Sequence, residues 1–165
     1  MFSIFIFRGN IINPEGIMEV INSNEHTKNI LNEICKGCEI AKCSIDDIIR
    51  KTEGMDIESE LKTEYDNYDA ICAKSSEMIK ELNGEPEGIG AMDKAMLWSG
   101  IFFNTLMDDS ERKIAEVMIN GTNMGITSTK EILIDNPNAD ERAVALANEF
   151  LEHEQNFVRS LHNFL

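Results

Sequence analysis

Apolar residues recur at intervals of three and four along four long stretches of the chain, the spacing that places them on one face of a helix. The stripes predict four helices, over residues 24–52, 57–82, 110–134 and 139–164. Between the first two, Gly54 suits the left-handed position that ends a helix, and Asp56 suits the cap of the next. The pattern therefore predicts an all-α domain that buries its core between amphipathic helices.

Residues 1–17 lack this pattern, because they are β-branched and aromatic and end in a turn-like segment around Pro14. Two interpretations remain open. The segment is a short strand or arm packed on the bundle, or the start codon was assigned too early and Met18 is the native first residue. The second is favoured because a lone strand has no sheet to join. Residues 18–165 then form a single domain.

The two halves of the chain predict the same arrangement. Their first helices align at a shift of 84, which pairs Gly37 with Gly121. After one inserted position their second helices align at a shift of 85, which pairs Tyr68 with His153. Each glycine is followed four residues later by another small residue, which favours close packing of helices 1 and 3. In the alternative, a bulky neighbour such as Trp98 fills the space over the glycines.

A further apolar segment, residues 91–107, lies between the two hairpins and reads as a helical connection. It carries Trp98, Phe102 and Phe103, which are a candidate contact surface if they are not part of the core.

Two helical hairpins joined by a long connection are the plan of ferritin-like bundles. The run Asn-Gly-Thr-Asn-Met-Gly-Ile at 120–126, with Glu-Gln-Asn at 154–156 before Leu161 and Phe164-Leu165, resembles uncharacterised ferritin-like four-helix-bundle proteins of anaerobic Firmicutes. The resemblance covers about residues 25–165. It implies a ferritin-like bundle of two pseudo-symmetric hairpins with a long helical crossover, and it implies no activity.

Charge narrows the range of partners. Acidic residues outnumber basic ones 30 to 15, so the net charge is −15. Nucleic acids and anionic membranes require basic surfaces and are therefore excluded as partners. No stretch approaches the roughly 18 apolar residues that span a bilayer, and the first apolar run is too short for a secretory signal. Four cysteines do not make a disulfide scaffold, so a cytoplasmic protein with reduced thiols is expected.

The metal chemistry of ferritin-like oxidases is incomplete in this chain. Such proteins hold two irons with a Glu from each of two helices and Glu-x-x-His from the other two, and no Glu-x-x-His occurs here. The available ligands are Glu39, Glu64, Tyr68, Glu149, Glu152 and His153. A symmetric site is not expected, because Asn123 matches Glu39. His153 either holds one divalent ion or is a core histidine bonded to one acid; the second is favoured, with Glu64 and Glu149 partly exposed.

The spacing of the cysteines is compatible with a zinc or redox site. Cys35 and Cys38 form a Cys-x-x-Cys motif, and Cys43 and Cys72 lie further along the chain. The pair lies in mid-helix rather than in a knuckle or at a strand–helix junction, so core packing is favoured. Counted from a turn near residue 55, Cys38 and Cys72 lie at the same height and are expected to approach each other.

These observations favour a non-catalytic, acidic helical-bundle protein that acts through association with a protein partner or as a homo-oligomer. An enzyme is disfavoured, because none of the histidines belongs to a recognisable Ser or Cys catalytic motif. The alternative is a carboxylate–histidine metalloprotein with iron or manganese as cofactor and an oxidase or storage role.

Overall fold

Four long helices pack together in the computed structural model, which describes the backbone of residues 5–7, 10–12, 14–90 and 110–165 and side chains from Gly16 onward within these ranges. They are α1 (Pro14–Ile48), α2 (Ile57–Glu81), α3 (Glu111–Asp135) and α4 (Glu141–Leu161). Short 3-10 turns, Ile49–Lys51 and His162–Phe164, follow α1 and α4. The predicted all-α, four-helix arrangement is confirmed. The predicted connecting segment, with Trp98, Phe102 and Phe103, lies outside the described residues.

The N-terminal region differs from the prediction in two ways. Two short strands, Phe5–Phe7 and Asn10–Ile12, pair antiparallel with each other, so each supplies the sheet that a lone strand would lack. In addition, α1 begins at Pro14 and continues through Met18. Proline is well suited to the first turn of a helix, because its missing N–H would have no intrahelical partner there.

The turn between α1 and α2 confirms one predicted feature and corrects another. Gly54 adopts a positive φ of 79°, as expected of a residue that ends a helix. Asp56 has helical backbone angles and makes no side-chain capping bond. Instead, the Ile57 N–H donates to Glu111 Oε1 at 3.0 Å, so the first residue of α3 caps α2.

The direction of each helix follows from contacts at the ends of the bundle. The middle of α1 lies beside the end of α3, where Asn29 Nδ2 donates to Asn136 Oδ1 at 2.9 Å. The end of α2 lies beside the start of α4, where Arg142 pairs with Glu81 at 2.9 Å. Since α1 is also antiparallel to α2, α2 and α3 point in the same direction. The chain between them therefore crosses from one end of the bundle to the other.

The described beginning of this connection runs along α1. The Ile89 N–H donates to Glu39 Oε2 at 3.0 Å, and Asn32 Oδ1 accepts from the backbone of the same segment at 3.2 Å. Glu39 thus anchors the connection, and we find its carboxylate outside the core. None of the described helices is both long and apolar enough to cross a membrane.

Eleven buried positions of the first hairpin match buried positions of the second when the hairpins are compared by residue number, although others, such as Cys35 and Ile48, match half-buried residues. For α1 and α3 the shift is 84: Ile30, Leu31, Ile34, Cys38 and Ile45 match Ile114, Ala115, Met118, Thr122 and Thr129, all buried. For α2 and α4 the shift is 86: Ile57, Leu61, Glu64, Tyr68, Ile71 and Ser75 match Ala143, Ala147, Phe150, Glu154, Phe157 and Leu161, again all buried. The predicted shift of 85 is therefore wrong by one position, and Tyr68 matches Glu154 rather than the half-buried His153.

Candidate functional site: a buried carboxylate pair

A tyrosine and a glutamate meet in the centre of the bundle, one from α2 and one from α4. Tyr68 is 1% exposed and Glu154 is 2% exposed. The Tyr68 hydroxyl donates a hydrogen bond of 2.5 Å to Glu154 Oε1. The Tyr68 ring also packs against Phe150, with ring centroids 6.3 Å apart. A buried polar pair of this kind is tolerated only because the two groups satisfy each other.

Glycines in α1 and α3 make room for the side chains of α4. A Cβ atom added at Gly125 would lie 2.9 Å from Glu154 Oε2, and one added at Gly37 would lie 3.2 Å from Phe150 Cζ. Side chains of α4 therefore occupy the space over these two small residues, whereas the predicted neighbour Trp98 lies outside the described residues.

Glu64, one turn before Tyr68 on α2, is also buried. It is 5% exposed, so the prediction that it lies partly in water is wrong. Its Oε2 accepts a hydrogen bond of 3.0 Å from Asn67 Nδ2. Its Oε1 is buried and has no hydrogen-bond partner among the described residues. Leu61, Glu64 and Tyr68 lie on one helical face. Because Leu61 and Tyr68 are core residues, Glu64 between them is buried as well.

Burial changes the acid–base behaviour of these groups. It raises the pKa of Glu154 to about 8, although the hydrogen bond from Tyr68 acts in the opposite direction; the charge of Glu64 adds to the rise. Burial also raises the pKa of Glu64, opposed by the Asn67 hydrogen bond and by nearby His153. Two buried carboxyl groups that repel each other favour the protonated form. The raised pKa therefore favours the protonated form of Glu154 at neutral pH.

The six side chains predicted as metal ligands do not converge. Glu64 and Tyr68 face the core, whereas Glu39 binds the backbone of the connection. Glu149 is partly exposed, as predicted, and pairs with Lys74 at 2.6 Å. Glu152 is exposed and His153 is half-buried. Within the described ranges, no three His, Cys, Asp or Glu side chains are arranged to hold a metal ion, so the residues present do not fit a two-iron centre.

Glu154 is the central residue that the sequence interpretation omitted. The spacing Phe150, Glu154, Phe157, Leu161 follows the buried face of α4, and the same intervals are visible in the sequence. An acidic residue on such a stripe is easily assigned to the surface, because Glu is almost never fully buried unless it is paired.

A pair of thiols lies one layer away, between α1 and α2. Cys35 Sγ and Cys72 Sγ are 3.8 Å apart. Ser75 lies beside Leu31, where its hydroxyl donates to the Leu31 carbonyl at 2.7 Å, so the thiol that Cys72 contacts is that of Cys35, not that of Cys38 as the count from the turn predicted. This register places Cys72 beside Cys35.

Similarity to known proteins does not assign this chain to a family. No family model, no curated protein and no solved structure matches the chain.

Proposed function

We propose that the protein acts through association with a basic, helix-bearing protein partner rather than through catalysis, and that residues 17–26 in the N-terminal part of α1 are its contact surface. The support begins with the length of α1. The turn between α3 and α4 packs beside Thr27, whose hydroxyl accepts a hydrogen bond of 2.8 Å from the Asp140 N–H. Residues 17–26 of α1 therefore extend past this turn, and most of them are exposed.

The observation that carries the proposal is the exposure of three large apolar residues in this segment. Met18 is 68% exposed, Val20 53% and Ile21 55%. Met18 and Ile21 are three residues apart and therefore lie on one helical face. An exposed apolar stripe on a surface helix is typical of an interaction site, and Met adapts its shape to a partner.

Charge favours a partner of a different kind over a second copy. Residues 17–26 contain Glu19 and Glu25 and no Lys or Arg. Two such segments packed together would bring like charges into contact. A partner helix with an apolar stripe flanked by Lys or Arg is complementary in both respects.

A peptide titration tests this proposal. The probes are an amphipathic helical peptide of Leu and Lys and a matched peptide of Leu and Glu, titrated into the full chain by calorimetry. We expect binding of the Lys peptide only, weakened by salt, and lost when Met18 and Ile21 are both changed to Ser. The control is Ile134→Ser, which removes an apolar residue that is 76% exposed on α3. Equal binding by both variants, or no binding by the wild type, would refute the proposal.

The fold assignment is a further part of the proposal. The direction of the four helices and the connection that crosses the bundle support a ferritin-like arrangement. The coincidence of buried positions between the hairpins supports an origin by duplication of one hairpin. We also propose a cytoplasmic location, because the cytoplasm keeps cysteine thiols in the reduced form.

The second candidate function, a carboxylate metalloprotein, has one observation in its favour. Glu64 Oε1 is a buried oxygen without a hydrogen-bond partner in the described part of the chain, and a divalent ion would neutralise it. Metal analysis of protein purified without chelator, with and without added iron or manganese, tests this candidate. Stoichiometric metal that survives gel filtration and is lost in Glu64→Gln would support it; metal-free protein, or retention by the variant, would eliminate it.

A further inference from the structure

We propose that Cys35 and Cys72 form a reversible dithiol–disulfide site that reacts with small peroxides. The two sulfur atoms are 3.8 Å apart and belong to neighbouring antiparallel helices. A disulfide bond is about 2.05 Å long, so closure needs a movement within reach of side-chain rotation. The site is separate from the Tyr68–Glu154 pair and from residues 17–26 of α1.

The neighbours of Cys35 act in both directions: the Cys72 carbonyl, 3.6 Å away, accepts from the Cys35 thiol, whereas two other groups stabilise its thiolate. Ser76 Oγ lies 3.4 Å from Cys35 Sγ and can donate a hydrogen bond to it. The hydrogen bond from the Cys72 thiol is the main cause that lowers the pKa of Cys35 to about 6, against the effect of burial. Cys38, by contrast, has its pKa raised by burial. The thiolate is the nucleophile in thiol chemistry, so Cys35 is more reactive than Cys38, while the pKa of Cys72 is raised by its hydrogen bond to Cys35.

Access limits the oxidant to a small molecule. Cys35 is buried, whereas Cys72 is half-buried and has an edge in contact with solvent. Hydrogen peroxide is close to water in size and can reach the pair from the side of Cys72.

The reaction balances with peroxide as the only oxidant. The Cys35 thiolate attacks one peroxide oxygen, the O–O bond breaks, and hydroxide leaves, which takes up a proton to become water. The resulting sulfenic acid is then attacked by Cys72; the S–S bond forms, the S–O bond breaks, and a second water leaves with the Cys72 proton. Two thiols are oxidised by two electrons in total, and a dithiol reductant reverses the change.

The chain offers a direct readout of the product. Trypsin cleaves after Lys28, Lys36, Lys42, Arg50, Lys62 and Lys74, so each of the four cysteines falls in its own peptide. Mild peroxide treatment of the full chain, alkylation of the remaining thiols and peptide mass spectrometry then identify every link. We expect one product, the Asn29–Lys36 peptide joined to the Thr63–Lys74 peptide, with two of the four thiols lost and both recovered with dithiothreitol.

Variants separate this proposal from general oxidation. Cys35→Ser and Cys72→Ser should each abolish the link, whereas Cys38→Ser and Cys43→Ser should leave its rate within about twofold of the wild type. The rate should also rise through an apparent pKa near that of Cys35, about 6. A link between other cysteines would overturn the proposal. So would oxidation confined to exposed Cys43, or four unmodified thiols in a chain whose circular dichroism is native.

Discussion

The hydroxyl of Tyr68 donates a 2.5 Å hydrogen bond to Glu154, a residue that holds the same buried position in the second hairpin as Tyr68 holds in the first. The bond therefore joins the two hairpins at the point where equivalent positions face each other. One hairpin supplies a donor and the other an acceptor, so the polar pair is complete without solvent. Predictions about stability can be made for this contact and its neighbours.

Stability should decrease as the pH rises through the neutral range. The pKa of Glu154 is about 8 in the folded chain and 4.5 as the ordinary value, so the folded state keeps a proton that the unfolded state releases. The stabilisation is complete below pH 4.5 and is lost as the pH rises toward 8, by roughly 1.4 kcal/mol per pH unit for one such group. Urea unfolding at a series of pH values measures this slope.

Two variants make the pH prediction specific. Cys35 has a lowered pKa and acts in the opposite direction above about pH 6, so the series is measured in the Cys35→Ser protein. Adding Glu154→Gln should reduce the slope and make the protein more stable than its parent at pH 8, with Glu64 responsible for the slope that remains. A parent protein whose stability is constant or rises between pH 5 and 8 would contradict the assignment.

Gly125→Ala should destabilise the protein only while Glu154 is present. The new Cβ would lie 2.9 Å from Glu154 Oε2, whose carboxyl group is held by Tyr68, and such overpacking costs about 1–3 kcal/mol. In a Glu154→Ala background the same change should stabilise the helix by up to about 1 kcal/mol, since Ala is the better helix former. Thermal unfolding of the four proteins of this cycle gives the coupling. Equal effects in both backgrounds would show that the glycine does not serve the glutamate.

Gly54→Ala should lower the free energy of unfolding by roughly 1–2 kcal/mol, because an L-residue is strained at a φ of 79°. No atom lies within 4 Å of the added Cβ, so the effect is one of backbone conformation alone. Gly54→Asn should cost less, since Asn tolerates the left-handed region. Chemical denaturation ranks the three proteins, and an Ala variant as stable as the wild type would refute the argument.

Ser75→Ala should cost about 1–3 kcal/mol, because it leaves the buried Leu31 carbonyl without the 2.7 Å hydrogen bond from Ser75 Oγ. The matched control is Ser59→Ala, which removes an exposed 3.3 Å bond to the Asp56 carbonyl in the same helix and should change stability by less than about 0.5 kcal/mol. Comparable losses in the two variants would show that the buried bond to Leu31 does not set the cost.

The helices could be predicted because their apolar spacing is regular, and α2 and α3 agree with the prediction to within a residue at each end. The site could not be predicted to the same precision. Neighbouring helical residues differ by about 100° in direction, so an alignment wrong by one position exchanged the buried Glu154 for the half-buried His153. The approach of Cys72 to Cys35 depended in the same way on the register of two helices, which a count from the turn does not fix.

The connection that crosses the bundle also determines how two copies of the chain can entangle. Each hairpin carries one half of the Tyr68–Glu154 contact, and the tether between the hairpins already reaches from one end of the bundle to the other. The first hairpin of one molecule can therefore pack against the second hairpin of another. Every contact between the two hairpins would then form between chains instead of within one chain. A domain-swapped dimer of this kind needs no new interface, and refolding at high concentration is the condition that favours it.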